Sequence, residues 1–272
     1  MKIAHTFFWR LRISLRATPL RRVWVWRRHR GLGPTDTFLT CYPRSGSNWL
    51  QFLIYQSLTN LDPTFEAVRR FSPYLGSHRH ALRLLPGGRR LLKTHEPYQP
   101  IYRKAILLLR DPRDVVLSDY RFLRMRGDFG GEFGQFLTEF IAGRTHGFGS
   151  WRDHVESWLN SGLAEENLHI VRYEDLSRET PSRLSSVLEF LGVNGSALDL
   201  EAICGNNTVE RMRMKEELGL DAPRTRSPRY RFVNRGLVGG WSDDLTPRQI
   251  EQLEQAFQST MIRSSYLPRR NA

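Results

Sequence analysis

The chain predicts an α/β fold: a single domain with a central parallel β-sheet flanked by helices. Three observations carry that expectation. Apolar runs of strand length at 37–42, 90–93, 105–109 and 168–173 alternate with longer stretches of helical periodicity, the order that a parallel sheet requires. The first run leads into a turn of small residues that opens a helix, the arrangement of P-loop-like phosphate sites. Hydrophobic residues make up 40% of 272, which is enough for one large core and excludes a disordered or fibrous chain.

In chain order, residues 1–35 form a basic N-terminal arm with nine cations and no acid. Apolar and aromatic residues interleave with them, yet no run approaches the roughly 18–20 apolar residues that span a bilayer. Arginines also break every stretch that a secretory signal would need, so the cytoplasm is the expected compartment. Two readings of the arm stand: a solvated extension packed in part on the domain, or an arm lying on anionic lipid or nucleic acid through its cations and tryptophans. After Gly31, Leu32, Gly33 and Pro34 the texture becomes globular, and the folded domain is expected over 36–272.

The helices carry start signals. Asp111 and Pro112 supply an N-cap and a first-turn proline ahead of Val115, Val116 and Tyr120. Thr180 and Pro181 are expected to do the same before Leu184, Val187 and Leu188, with Gly192 as the stop. Thr246 and Gln249 read as a capping box, and Leu245 with Ile250 as its hydrophobic staple. Two stretches lack periodicity, Arg126 to Gly149 and Gly219 to Gly240, and are expected to be functional loops or lids.

Lys plus Arg number 41 against 28 Asp plus Glu, a net +13, so the partner should be anionic. Cys41 and Cys204 are too far apart in the chain for a disulfide framework, and no Cys/His cluster has the spacing of a zinc site.

The most informative stretch is Thr40 to Leu50, which reads Thr-Cys-Tyr-Pro-Arg-Ser-Gly-Ser-Asn-Trp-Leu. A small-residue turn at a helix N-terminus offers free backbone N–H groups and the positive end of the helix dipole to a phosphate or sulfate oxygen. Arg44, Ser45, Ser47 and Asn48 would add side-chain donors; a plain strand–turn–helix corner capped by Ser45 or Ser47 is the alternative. A Walker A loop is absent, because the basic residue precedes Gly46 instead of following it.

Tyr42, Pro43, Ser45, Gly46 and Trp49 resemble the 5′-phosphosulfate loop of the sulfotransferases that use 3′-phosphoadenosine 5′-phosphosulfate (PAPS), where the pattern runs Tyr-Pro-Lys-Ser-Gly-Thr-Thr-Trp. Further stations follow in the family's order. Leu91 to His95 looks like its Lys-Thr-His station, and Arg110 with Ser118 eight residues on looks like its 3′-phosphate station. Gly149 to His154, Arg172 to Leu176 and the glycine-rich stretch from Arg235 to Trp241 complete a resemblance covering about 36–257.

The resemblance implies sulfuryl transfer from PAPS to an acceptor hydroxyl or amine, leaving adenosine 3′,5′-bisphosphate (PAP). In such a reaction the transferred group lies in line between the attacking oxygen and the leaving phosphate oxygen, and charge stabilisation does most of the work. Arg44 and Lys93, with the amides of Ser45, Gly46, Ser47 and Asn48, are candidates to surround the leaving group. His95, whose ordinary pKa lies near neutrality, is the candidate general base. Lys93 lies two residues before it and shares its side if the strand continues. Arginines in place of Mg²⁺ make a metal unnecessary.

By resemblance Arg110 and Ser118 hold the 3′-phosphate with Arg235 and Gly236, Trp49 gives adenine a face, and Tyr173 and Asn207 give it polar contacts. Departures from the pattern are Arg44 for lysine, Val209 for an aromatic, Asn234 for the first basic residue of the last station, and Gly240 for aspartate. The acceptor is a small molecule, lipid or glycan whose identity the sequence leaves open. Glu96, His146, His154, Phe129, Phe133, Phe136 and Phe148 either line its site or pack internally. A homodimer fits the resemblance, although the chain shows no dimer motif, and no nucleic acid is expected. Two other readings are weighed: a P-loop-type kinase, which lacks the glycine-then-lysine loop, and a basic nucleic-acid or membrane-surface binding protein that would lose affinity steeply with salt.

Overall fold

The computed structural model describes residues 20–218, 233 and 236–269. Helix α1 (Leu20–His29) leads to β1 (Thr37–Cys41), α2 (Ser47–Thr59) and α3 (Phe65–Phe71). Then come β2 (Leu91–Thr94), β3 (Ala105–Leu109), α4 (Pro112–Arg126), α5 (Phe133–Ile141), α6 (Trp151–Leu159) and β4 (Leu168–Arg172). The chain continues through α7 (Tyr173–Arg178), α8 (Thr180–Phe190), α9 (Leu200–Gly205), α10 (Val209–Leu218), α11 (Trp241–Asp244) and α12 (Pro247–Arg263).

The four strands form one parallel sheet in the order β2-β1-β3-β4. Phe38 pairs with Leu92 on one side and Ala105 on the other, and Leu107 with Ile170. Every residue of β1, β2 and β3 is buried, because helices cover both faces. Alternate strand residues feed two cores. Phe38, Leu92, Leu107 and Leu109 pack with Val115 and Val116 of α4, Phe136 of α5, Trp151 and Trp158 of α6 and Phe257 of α12. Leu39, Leu91, Ile106 and Leu108 pack on the opposite face with Leu50 and Leu53 of α2, Val68 of α3, Leu184 of α8 and Ile203 of α9. Each such fully buried side chain contributes about 1.5–3 kcal/mol relative to exposure.

The chain leaves β1 for one side of the sheet and returns to pair on its other side with β3, so the crevice at the carboxyl ends of these strands is where an α/β sheet places a ligand. The capped helices take the predicted form at Asp111, which accepts from the Arg113 amide, and at Thr246, whose box with Gln249 is complete.

Two expectations change. Arg126 to Gly149 is not irregular throughout, because α5 lies within it, opened by a Glu132–Gln135 capping box. Its Phe133, Phe136, Leu137 and Phe140 carry helical spacing that Gly130, Gly131 and Gly134 obscure. Thr180 is the first residue of α8 and not its cap, since Glu179 occupies that place. The arm is helical over α1, and its Arg28 donates to the Leu75 carbonyl at 2.8 Å. Of the stretch from Gly219 to Gly240, only 233 and 236–240 lie within the described residues.

Candidate functional site

The chain turns sharply after β1. Arg44 has φ 72° and Gly46 φ 97°, and Ser45 binds back to the Tyr42 carbonyl through its hydroxyl at 2.8 Å. A Cβ on Gly46 would sit 2.5 Å from the Tyr173 ring, so this position needs glycine for both its backbone and its neighbour. Gly46 then stands at the N-cap of α2 and no side chain caps that helix, so neither Ser45 nor Ser47 makes the ordinary capped corner.

Around this turn lies a cavity of about 910 Å³. Its polar half is made at the strand ends: Arg44, Gly46, Ser47, Asn48 and Trp49 after β1, Lys93 in β2 and His95 just after it, Arg110 after β3, and Ser118 on α4. Tyr173, Val209, Val233 and Gly236 close it. Its other side carries the aromatic and apolar Tyr74, Leu117, Phe122 and Phe148, together with His146 and the cations Arg121 and Arg126. Ser45 and Asn207 are wholly buried and stand behind the wall: the Asn207 carbonyl accepts from the Trp49 indole at 2.8 Å, and its amide donates to Gln56 and the Ile203 carbonyl. Arg235 and Asn234 lie outside the described residues.

The electrostatics are those of a cation cluster drawn out of water. Lys93 is buried and bonded to Asn48 and Gln51, and desolvation pulls its pKa down to about 8, with Arg44 adding to the fall and Cys41 opposing it. Desolvation likewise lowers Arg44 to about 10, opposed by Asp119 and reinforced by Arg110. The Arg44 Nε donates to the Ser118 hydroxyl at 3.3 Å. Arg110 donates to the carbonyls of Arg44 and Leu237, lies 4.3 Å over the Tyr173 ring, and has a buried Nε with no partner. The neighbouring acids are engaged elsewhere: Asp111 holds Arg113, while Asp114 accepts from the amides of Gly239 and Trp241 at 2.9 and 3.1 Å. An incoming anion would relieve all three cations at once.

His95 follows the end of β2, yet it reaches the same cavity as Lys93. Its Nδ1 lies 2.7 Å from the Cys41 carbonyl, which only accepts, so Nδ1 carries the proton and Nε2 presents a lone pair. Desolvation and then Lys93 hold its pKa well below the usual histidine value, so the ring is neutral at pH 7. The Tyr74 hydroxyl donates to Nε2 at 2.8 Å. Sequence reasoning missed Tyr74, which follows Ser72 and Pro73 and forms a single parallel bridge with Lys93, with no helical or strand periodicity to mark it.

Of the proposed acceptor residues, Phe148 and His146 line the cavity, and His146 is bonded to buried Asp119 at 2.8 Å. The others pack internally. Phe129 and Phe136 are core, Phe133 packs on Tyr120, and Glu96 is 2% exposed and ion-paired with Arg21 and Arg28. His154 is wholly buried beside Tyr42, and desolvation pushes its pKa down to about 3. Among the described residues no group of His, Cys, Asp and Glu is placed to hold a metal ion.

Comparison with known proteins places this arrangement. The sulfotransferase-domain family model matches residues 34–265. The chain belongs to the sulfotransferase family. As a member it is an enzyme of sulfuryl transfer whose donor is PAPS. It is 26% identical over 242 residues to mouse sulfotransferase 2B1, covering 83% of this chain and 71% of the relative. Against rat sulfotransferase 2A6 the identity is 28% over 251 residues, covering 83% of this chain and 84% of the relative. A crystal structure of retinol dehydratase in complex with androsterone and the inactive cofactor PAP shares the fold, with a TM-score of 0.70 at 20% identity over 86% of this chain and 82% of that one. The chain gathers its cations where the sheet's carboxyl ends meet an uncapped helix N-terminus.

Proposed function

We propose that this sulfotransferase moves the sulfuryl group of PAPS to the hydroxyl or amine of a small, largely apolar acceptor, with His95 as general base. The observation that carries the reading is the neutral His95, its Nε2 turned into a cavity that also holds the desolvated Lys93 and Arg44, the half-buried Arg110 and the uncapped start of α2. The residues present fit the donor: Arg110 offers an unpartnered buried Nε, and Arg44, Lys93 and the amides of the turn converge where a leaving phosphate needs them.

PAPS supplies an activated sulfuryl group whose sulfur–oxygen bond to the 5′-phosphate breaks as the acceptor oxygen bonds to sulfur. Lys93 and Arg44 hold the charge that develops on the leaving phosphate oxygen. Arg110 and Ser118, with Gly236 and Arg235, hold the 3′-phosphate, which the guanidinium fork of arginine suits. Trp49 and Tyr173 stand edge to face at 5.6 Å and form the wall for adenine; Asn207 acts from behind, fixing the Trp49 ring. As the acceptor attacks, His95 Nε2 takes its proton, after the acceptor hydroxyl has replaced Tyr74 on that nitrogen. Cys41 keeps the ring oriented throughout.

An apolar acceptor such as a sterol or a lipid is favoured by Tyr74, Leu117, Phe122 and Phe148 in the outer half of the cavity, and the androsterone complex of the fold relative is in keeping with it. On this reading the protein works in the cytoplasm, with its basic N-terminal arm in peripheral contact with anionic membrane.

The deciding experiment is a thermal-shift titration with PAP beside AMP and beside ATP with Mg²⁺. PAP should stabilise the protein by about 2.7 kcal/mol at a hundredfold excess over Kd, AMP by much less, and Arg110→Ala should remove the difference between them. A preference for ATP with Mg²⁺ overturns the donor assignment.

A further inference from the structure

Helix α1 is built inside out. A helix packed on a globular domain ordinarily turns its apolar stripe to the core and its charges to water. Here charged and polar side chains face the protein, and large apolar ones face out. Arg21 and Arg28 reach the buried Glu96 carboxylate at 2.7 and 3.3 Å, Arg28 also donates to the Leu75 carbonyl, and His29 bonds to the Tyr102 hydroxyl. The outward side carries Val23 and Trp26, 61% and 63% exposed, together with the exposed Arg27 and Arg30, the latter stacked 5.2 Å over Trp26.

We infer that this outward face of α1 is a docking surface for an anionic lipid bilayer, an inference that rests on the reading of the arm as a membrane contact. Indole and aliphatic groups flanked by guanidinium groups match the boundary between headgroups and acyl chains, where the ring body is buried and the cations meet phosphate. Charge complementarity selects the partner: no acid precedes Asp36, and the arm ahead of the helix adds Lys2, Arg10, Arg12 and Arg16.

The test is co-sedimentation of the full chain with phosphatidylcholine–phosphatidylserine vesicles and with pure phosphatidylcholine vesicles, for wild type, V23S/W26S and R27E/R30E. All four positions are exposed, and each variant is checked for an unchanged thermal shift with PAP. Wild type should pellet with the anionic vesicles at least about tenfold more strongly than with the neutral ones, and each double variant should lose about tenfold in partition. Variants that pellet like wild type would overturn α1 as the surface while leaving the arm a membrane contact. Wild type that fails to pellet overturns both. A dimer seen by light scattering in wild type and lost in V23S/W26S would assign the face to a second copy of the chain and overturn the lipid.

Discussion

The two halves of the cavity are made by different parts of the fold. The cationic half sits on strand ends: Lys93 closes in on β2, Arg110 follows β3, and the turn after β1 is pinned between them. The aromatic half is assembled from a loop before β2, the middle of α4 and the stretch ahead of α6, which give Tyr74, Phe122 and Phe148. A sheet buried on both faces fixes its ends within a narrow geometry, whereas loops and helix faces accept change with little cost to the fold. The fixed half suits a donor common to a whole family, and the adaptable half suits an acceptor that differs from enzyme to enzyme.

The sharpest way to break this contrast is at His95, which stands where the halves meet. His95→Ala should lower kcat by about a hundredfold to ten-thousandfold while leaving the PAP thermal shift in place, because a base contributes to proton removal and little to donor binding. Equal losses of turnover and PAP binding would instead make His95 part of the donor half.

Next in size is Gly46→Ala. The substitution meets a φ of 97° and a Tyr173 ring carbon 2.5 Å from the new methyl, so the turn must shift. A cost of roughly 1–3 kcal/mol at the turn should weaken PAP binding by about tenfold to a hundredfold. Calorimetry with PAP reads this directly, and unchanged affinity would show that the turn is less rigid than its contacts require.

The smallest expected effect is a pH dependence. Lys93 has a folded pKa of about 8 against an ordinary 10.5, so above 8 the free enzyme loses a cation that bound PAP would retain. PAP affinity should therefore fall by a few-fold per unit as pH rises beyond 8, by less than about tenfold, and Lys93→Met should flatten the profile. The same shift has the opposite sign for stability without ligand: between 8 and 10.5 the unfolded chain holds the proton that the folded one has released, so the free protein gains stability with pH across that window. A PAP affinity independent of pH in wild type would remove Lys93 from the donor half.

The same division decides how much was legible in the sequence. Three strands were readable because each is a short run buried on both faces, and β4 because its apolar run keeps strand length at the sheet edge. The donor residues were proposed from small residues and cations at strand ends in a set order. Loops carry no comparable rule. Tyr74 gave no sign of standing on His95, and Glu96 read equally well as an acceptor contact until α1 was seen to neutralise it. Asn207 was expected to give adenine a polar contact, whereas packing turns its buried side chain to Gln56 and Ile203 and leaves its carbonyl to hold Trp49. The α5 helix was hidden because glycines at 130, 131 and 134 outweighed the aromatic spacing on one face.

Glu96 has a practical bearing on how the protein is handled. It is the residue next to His95, and both of the arginines that neutralise it come from α1. A shortened chain starting at residue 33, a natural choice for crystallisation, would strip both arginines from Glu96 and uncover the carboxylate beside His95. The loop that carries both residues would lose two ion pairs and its cover at once. Low activity in a trimmed preparation would then report a change beside His95 and say nothing of any membrane role for the missing segment. The arm is best probed by point changes on its outer face, with its inner arginines kept.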